Sequence, residues 1–240
     1  MPLYPLGISR RRDVPSVPKQ AAGAIDMRWS LAGELACAFI DAPHQAVPPM
    51  LHAAALDAIH RRICVLPVRF GVALHDETEI HSLLQDRHYE LLDHLSHLDR
   101  TCEMGLRIAP PTTADQRRPP LRGGARSVPV RCPPPGAQVA VSSGPQSPLA
   151  YIEERRTHYQ RADENAERDR LIVQQFVKRL HGYYRQWRKL QSSPSHSIRL
   201  AFLVERGRVA AFRSHLENTC STDQEGRCVL LGPWPPYSFV

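Results

Sequence analysis

The sequence predicts an α+β protein with a first α+β unit at residues 1–109, a proline- and arginine-rich linker at 110–148 and a second α+β unit at 149–240. Three observations carry this expectation. Short apolar, β-branched runs suited to strands are interspersed with segments whose apolar residues recur every 3.6 positions. Residues 110–148 hold ten of the 22 prolines and almost no large apolar side chain, which breaks the chain in two. A long helical period then opens the second half and is followed by strand, helix and strand.

Along the first half, residues 3–8 are a short apolar start in which Pro5, lacking an N–H, argues against a central strand. Residues 10–22, with Pro15 and Pro18, read as loop. The apolar runs 24–31 and 34–40 on either side of Gly33 predict a hairpin. Past Pro43, Pro48 and Pro49, the positions of Leu51, Ala54, Ala55, Ala58 and Ile59 predict a helix over 50–62. Residues 64–70 predict a strand, which Pro67 confines to a sheet edge or a kink. Asp76 with Glu79 forms a capping-box pattern, and Ile80, Leu83, Leu84, Leu91, Leu95 and Leu98 make one stripe, so a single helix is expected over 76–98. Residues 102–109 close the first unit as a strand that stops at Pro110.

The composition of 110–148 cannot bury enough apolar surface to offset ordering entropy, so a flexible linker between two folding units is expected. In the region 149–190, Ile152, Tyr159, Ala162, Ala166, Val173, Phe176, Val177, Leu180, Tyr184 and Trp187 fall at helical spacings, with Gly182 a weak interruption. Unbroken, such a helix runs on the order of 55 Å. Residues 198–204 then predict a strand, 206–218 a helix with Val209, Phe212 and Leu216 on one face, and 228–231 a last strand. From Gly232 onward, Pro233, Pro235 and Pro236 remove three donors and predict an irregular tail. Trp234, Tyr237 and Phe239 still need cover. The tail either folds back over the second unit or stands out as an aromatic hook, and folding back is favoured because free aromatics invite aggregation.

Two stretches are distinctive enough to carry a resemblance. The first is Val65-Leu66-Pro67-Val68-Arg69-Phe70-Gly71, followed by a helix and by Glu103-Met-Gly-Leu-Arg-Ile108. The second is Leu230-Leu-Gly232-Pro233-Trp234-Pro235-Pro236-Tyr237-Ser-Phe239-Val240, preceded by Ala201-Phe-Leu-Val-Glu205 and Val209-Ala-Ala-Phe212. Together they resemble the gas vesicle GvpL/GvpF family. Tyr151-Ile-Glu-Glu-Arg-Arg156 resembles the family's segment after the linker, whereas Leu3-Tyr-Pro-Leu-Gly7 fits its aromatic first strand imperfectly. The resemblance implies a ferredoxin-like arrangement in the second unit. It also implies an accessory or minor structural protein of gas vesicles, which are protein-walled, gas-filled compartments. Such a protein binds the small hydrophobic A-type shell protein and other gas vesicle accessory proteins, and supports assembly by keeping the shell protein from aggregating. The family-motif residues Leu66, Pro67, Arg69, Phe70, Gly71, Gly232, Pro233, Trp234, Pro235, Pro236, Tyr237 and Phe239 are expected to have structural or partner-binding roles.

Composition narrows the classes. The chain has no apolar run long enough for a membrane span, and its N-terminal charges follow the apolar part, the wrong order for a secretory signal, so a cytoplasmic protein is expected, and the resemblance implies association with the gas vesicle. Cysteines at 37, 64, 102, 132, 220 and 228 form no Cys-x-x-Cys pair and read as reduced thiols. His81, His88, His94 and His97 match no zinc spacing, and no cofactor pattern is present. No phosphate loop, nucleophile elbow or His-Glu-x-x-His occurs, so an enzyme is the least supported class. The net charge of +7 admits an alternative, a nucleic-acid-binding module using Arg117, Arg118, Arg122, Arg126 and Arg131 of the linker. The alternating charges of 153–170 instead describe a solvated helix face. Finally, Arg69 within an apolar strand is expected to pair with a carboxylate, either from the 76–98 helix or Glu103.

Overall fold

The structure, a computed structural model, describes residues 2–16, 27–41, 47–109, 148–191, 197–222 and 227–240. Residues 110–147, with the linker arginines, and the turn at 192–196 lie outside the described residues. The fold is α+β, with two four-stranded antiparallel sheets. The first is ordered β2 (Met27–Ala32), β3 (Leu35–Asp41), β1 (Leu3–Arg10), β4 (Leu66–Pro67).

In this sheet β3 is buried on both faces, as its uninterrupted apolar run requires. Helix α1 (Pro49–His60) supplies Ala55, Leu56 and Ile59 against Leu6, Ala38 and Ile40. Helices α2 (Glu77–Asp86) and α3 (His88–His97) supply Ile80, Leu84, Leu91 and Leu95 against Leu35, Cys37 and Phe39 on the opposite face. Each aliphatic side chain fully buried this way contributes about 1.5–3 kcal/mol. The hairpin forms around Gly33 as its flanks predict.

Three features of this half differ from the sequence expectation. β1 is an interior strand despite Pro5, because the pairing with β3 shifts register between Pro5 and Gly7; a bulge there accommodates the missing donor. The expected 64–70 strand contracts to Leu66–Pro67 at the sheet edge, extended only by Val68 N donating to Leu6 O at 2.9 Å. The expected 76–98 helix is divided at Arg87, whose backbone is not helical in ψ. The apolar stripe hides this break, since Leu84 and Leu91 are seven positions apart and line up with or without it. The cap at Asp76 is as predicted at one end, accepting from Thr78 N at 2.8 Å and Glu79 N at 3.1 Å; the Glu79 carboxylate reaches His75 N at 2.9 Å instead of the cap's own N–H.

The second sheet is ordered β6 (Gln186–Leu190), β7 (Ile198–Glu205), β5 (Thr101–Ala109), β8 (Arg227–Trp234). With α4 (Pro148–Arg179) and α5 (Val209–Thr222), the chain order β5-α4-β6-β7-α5-β8 gives a ferredoxin-like unit. Its face carrying Phe202 packs on Phe212 of α5, ring centroids 5.5 Å apart. Residues 102–109, read from the sequence as the last strand of the first unit, are therefore the first strand of this sheet, paired along their length with both β7 and β8. The sequence signal for the strand is right and its allegiance wrong, because an apolar strand pattern says nothing of which partner it meets. The strands β5 and β7, which lie on either side of residues 110–148 in the sequence, therefore belong to one sheet. The chain divides into residues 1–110 with 177–240, and residues 111–176.

α4 stops at Arg179, and Gly182, at φ +90°, takes the left-handed conformation that ends the helix. Its 32 residues span about 48 Å. Tyr184 and Trp187, placed on the helix by spacing, instead precede and occupy the edge strand β6. α5 starts at Val209 after a 3-10 turn at Arg206–Arg208, and β8 runs on through Pro233 to Trp234, where an irregular tail was expected.

This topology predicts the outcome of a cut. If a site-specific protease sequence is placed between residues 120 and 135 and cleaved, the two fragments should stay together on gel filtration, joined through β5–β7 and β5–β8, and separate only in denaturant. Fragments that part in native buffer would refute the shared sheet.

Candidate functional site

The C-terminal motif folds back on the second sheet and forms one wall of a surface groove. Beyond β8, Tyr237–Phe239 forms a 3-10 turn in which Phe239 N donates to Pro236 O at 3.1 Å. Phe239 is buried and joins the cluster containing Leu203 and Ala201. The buried Glu103 of β5 accepts from Ser238 N at 2.7 Å and from Ser238 Oγ at 2.8 Å. Arg188 of β6 donates to Ser238 O and lies over the Phe239 ring at 5.3 Å. The tail thus folds back through Phe239, and an acid in mid-strand finds its partner there. Burial raises the Glu103 pKa, and the two Ser238 hydrogen bonds partly offset that rise.

Gly232, at φ +104°, turns β8 against β5; a Cβ there would stand 2.7 Å from Glu103 O. The Trp234 ring lies over Gly105, where an added Cβ would come within 3.3 Å of it. Trp234 and Tyr237 nevertheless stay 41% and 45% exposed. They line, with Gly232, Pro233 and Pro235, a groove of about 860 Å³ whose other residues are Met50, Ala53, Ala54, Asp57 and His60 of α1, Arg61 just after it, and Cys102, Arg206 and Val209. Both folding back and exposure therefore hold for the tail, split between its aromatics.

Within the groove's lining, Arg206 reaches across the sheets. Its Nη2 lies 3.0 Å from His60 Nδ1 and donates to Ile63 O at 3.1 Å, while Nε donates to Thr101 O at 3.3 Å. An arginine only donates, so His60 Nδ1 must accept, which leaves its proton on Nε2. That Nε2 is buried without a hydrogen-bond partner among the described residues. Burial and then the Arg206 charge lower the His60 pKa to about 3.

The other motif does not join this site. Leu66 and Pro67 are buried at the edge of the first sheet, and Gly71 turns the chain at φ +88°. Phe70 is 47% exposed and meets the His52 ring edge-on at 5.6 Å. Arg69 is exposed and makes no ion pair among the described residues, so the expected internal carboxylate is not there; the strand ends before it and the side chain is never buried. Arg69→Ala should accordingly change stability by less than about 0.5 kcal/mol. A larger drop in the urea midpoint would restore a structural role.

The α1 face, Arg206 and Ser238 were not singled out from sequence. Ser238 was findable, since a lone acid such as Glu103 in an apolar strand must meet a donor. His60 and Arg206 are 146 positions apart and carry no local pattern.

Comparisons with known proteins agree with this architecture. The family described as Gas vesicle synthesis protein GvpL/GvpF matches residues 41–240. Gas vesicle protein L of Streptomyces sp. (strain CB03234) is 26% identical over 194 residues, 79% of this chain and 67% of its own length. Gas vesicle protein F of the same strain is 26% identical over 253 residues, 100% of both chains. Among solved structures, GvpF from Anabaena sp. PCC7120 superposes with a TM-score of 0.71 at 15% identity, over 99% of this chain and 95% of its own. GvpF from Microcystis aeruginosa gives 0.70 at 14%, over 99% and 98%.

Proposed function

Because the chain belongs to the gas vesicle synthesis protein GvpL/GvpF family, we propose that it is an accessory protein of gas vesicle assembly that binds the hydrophobic A-type shell protein and keeps it from aggregating before it joins the wall. Its partners are then the shell protein and other gas vesicle proteins, and its place is at the vesicle or in the surrounding cytoplasm. The observation that carries this reading is the match of 200 residues, 41–240, which includes all four strands of the second sheet and, of the first, β4 with the helices α1, α2 and α3. A groove lined by Met50, Trp234, Tyr237 and prolines supports it, since it offers apolar surface to a hydrophobic partner.

The test is to refold purified shell protein by dilution with and without an equimolar amount of this chain and to follow light scattering. Suppressed scattering and a complex on gel filtration are expected. Unchanged scattering and no complex would sink the proposal. A chain that instead binds duplex DNA, with an affinity that collapses between low and moderate salt, would favour the nucleic-acid reading of its +7 charge.

A further inference from the structure

One face of the second sheet carries an arrangement that folding alone does not favour. The strand registers set Leu190, Arg199, Arg107 and Val229 side by side in a row across its four strands, with Gly105 and Leu231 neighbours in the next row. Residues directly opposite on antiparallel strands share a face, and a Cβ built at Gly105 would point toward the Leu231 Cβ, 3.6 Å away. The tail covers one part of this face, where Phe239 packs with Ala201 and Leu203 and Ser238 meets Glu103. Arg199, Arg107, Val229 and Leu231 stay exposed, the last two by 49% and 40%. Arg107 and Arg199 thus stand directly opposite each other, and like charges so placed destabilise a strand pair. Arg107 Nε donates to Ser197 Oγ at 3.2 Å, a neutral acceptor, and Arg199 makes no ion pair or side-chain hydrogen bond among the described residues. The acids of β5 and β7 on this face are engaged elsewhere: Glu103 is buried against Ser238, and Glu205, six positions along β7 from Arg199, pairs with Arg185 and Arg208.

We infer that this face docks a segment of a partner protein in which a carboxylate lies beside aliphatic side chains. The carboxylate meets Arg199 next to Arg107 and offsets the repulsion between the two cations, and the aliphatic neighbours cover Val229 and Leu231. Resting on the function proposed above, the partner is the shell protein. A nucleic acid would satisfy the arginines but leave Val229 and Leu231 facing phosphate oxygens. A neutral apolar segment would cover the aliphatic side chains and seal two like charges together without a counter-charge.

The test sets binding against stability at an exposed position. Arg199→Glu and Arg199→Lys are compared with the full-length wild type for retention on immobilised shell protein, with thermal unfolding run in parallel. Arg199→Glu replaces a cross-strand repulsion with an attraction to Arg107, so its melting temperature should equal or exceed the wild type's while retention weakens by about tenfold or more. Arg199→Lys should stay within about threefold. A merely structural arginine would not move the two readouts in opposite directions. Val229→Asp sets a carboxylate beside Arg107 from the other side, should lose retention in the same way, and decides the matter if Arg199→Glu melts early. Early melting of both variants would overturn the like-charge premise. Full retention by either folded variant would overturn the face while leaving the functional reading in place, and equal loss from Glu and Lys would overturn the carboxylate. A chain that retains duplex DNA in place of shell protein, and loses it in Arg199→Glu, would give the face to nucleic acid. A wild type that retains neither would overturn both readings.

Discussion

Replacing Phe239 with alanine is expected to cost about 3–5 kcal/mol of stability, the range for deleting a buried aromatic side chain, and deleting residues 238–240 should cost more. The extra loss comes from Glu103. With Ser238 gone, a buried carboxylate loses both of its donors, worth about 1–3 kcal/mol as unsatisfied polar groups. This second component carries a pH signature. Glu103 has a folded pKa raised above the ordinary value, so its contribution is present below the unfolded pKa and is lost as pH rises through the folded one. Removing Ser238 pushes that pKa further up. The penalty for the deletion should therefore be larger at pH 7 than at pH 5, whereas the Phe239→Ala penalty should be nearly the same at both. Urea unfolding of the two variants at both pH values checks this; a deletion whose cost does not change with pH would remove Glu103 from the account.

Acid should destabilise the chain through His60, in the opposite direction. Its folded pKa lies near 3, below the 6.5 of an unperturbed histidine. Between those values the unfolded chain binds a proton that the folded chain refuses, so stability present above pH 6.5 is lost as pH falls toward 3. The loss is at most about 1.4 kcal/mol per pH unit, or about 2 kcal/mol by pH 5. Burial lowers the His52 pKa as well, which adds to the slope. His60→Gln keeps an acceptor for Arg206 and cannot take up a proton. Between pH 6.5 and 5 its stability should fall by about one proton's slope less than that of the wild type. Parallel curves for the two proteins would mean that His60 is protonated in the folded state at ordinary cost.

Much of the fold could be read from sequence because the signals were local. Gly33 between two apolar runs gives a hairpin, Asp76 gives a helix start, and residues 198–204 give a strand, each from neighbours a few positions away. What escaped depended on distant partners or on one backbone angle. Pro5 belongs to an interior strand because a bulge admits it, and Trp234 belongs to a strand because β5 lies beside it. Gly182 was treated as a weak interruption, but its left-handed φ ends α4 and frees Trp187 for an edge strand. For the site, the tail stood out because prolines and aromatics are concentrated there. The helix facing it did not, since Met50, Ala53 and Ala54 look like any helix surface until Trp234 and Tyr237 are placed opposite.

The position of β5 also sets a schedule for synthesis. Cys102 and its neighbour across the sheet, Val204, are separated by 102 residues. At about 5–20 residues per second, the ribosome takes on the order of 5–20 s to deliver β7 after β5 has been made. During that interval Met104, Leu106 and Ile108 belong to a strand with both edges open, attached to a first sheet that already has all four of its strands. A nascent chain in that state is most exposed to misassociation in the middle of its own translation. Slowing the ribosome between codons 110 and 197 should lower the soluble yield more than slowing it anywhere before codon 100.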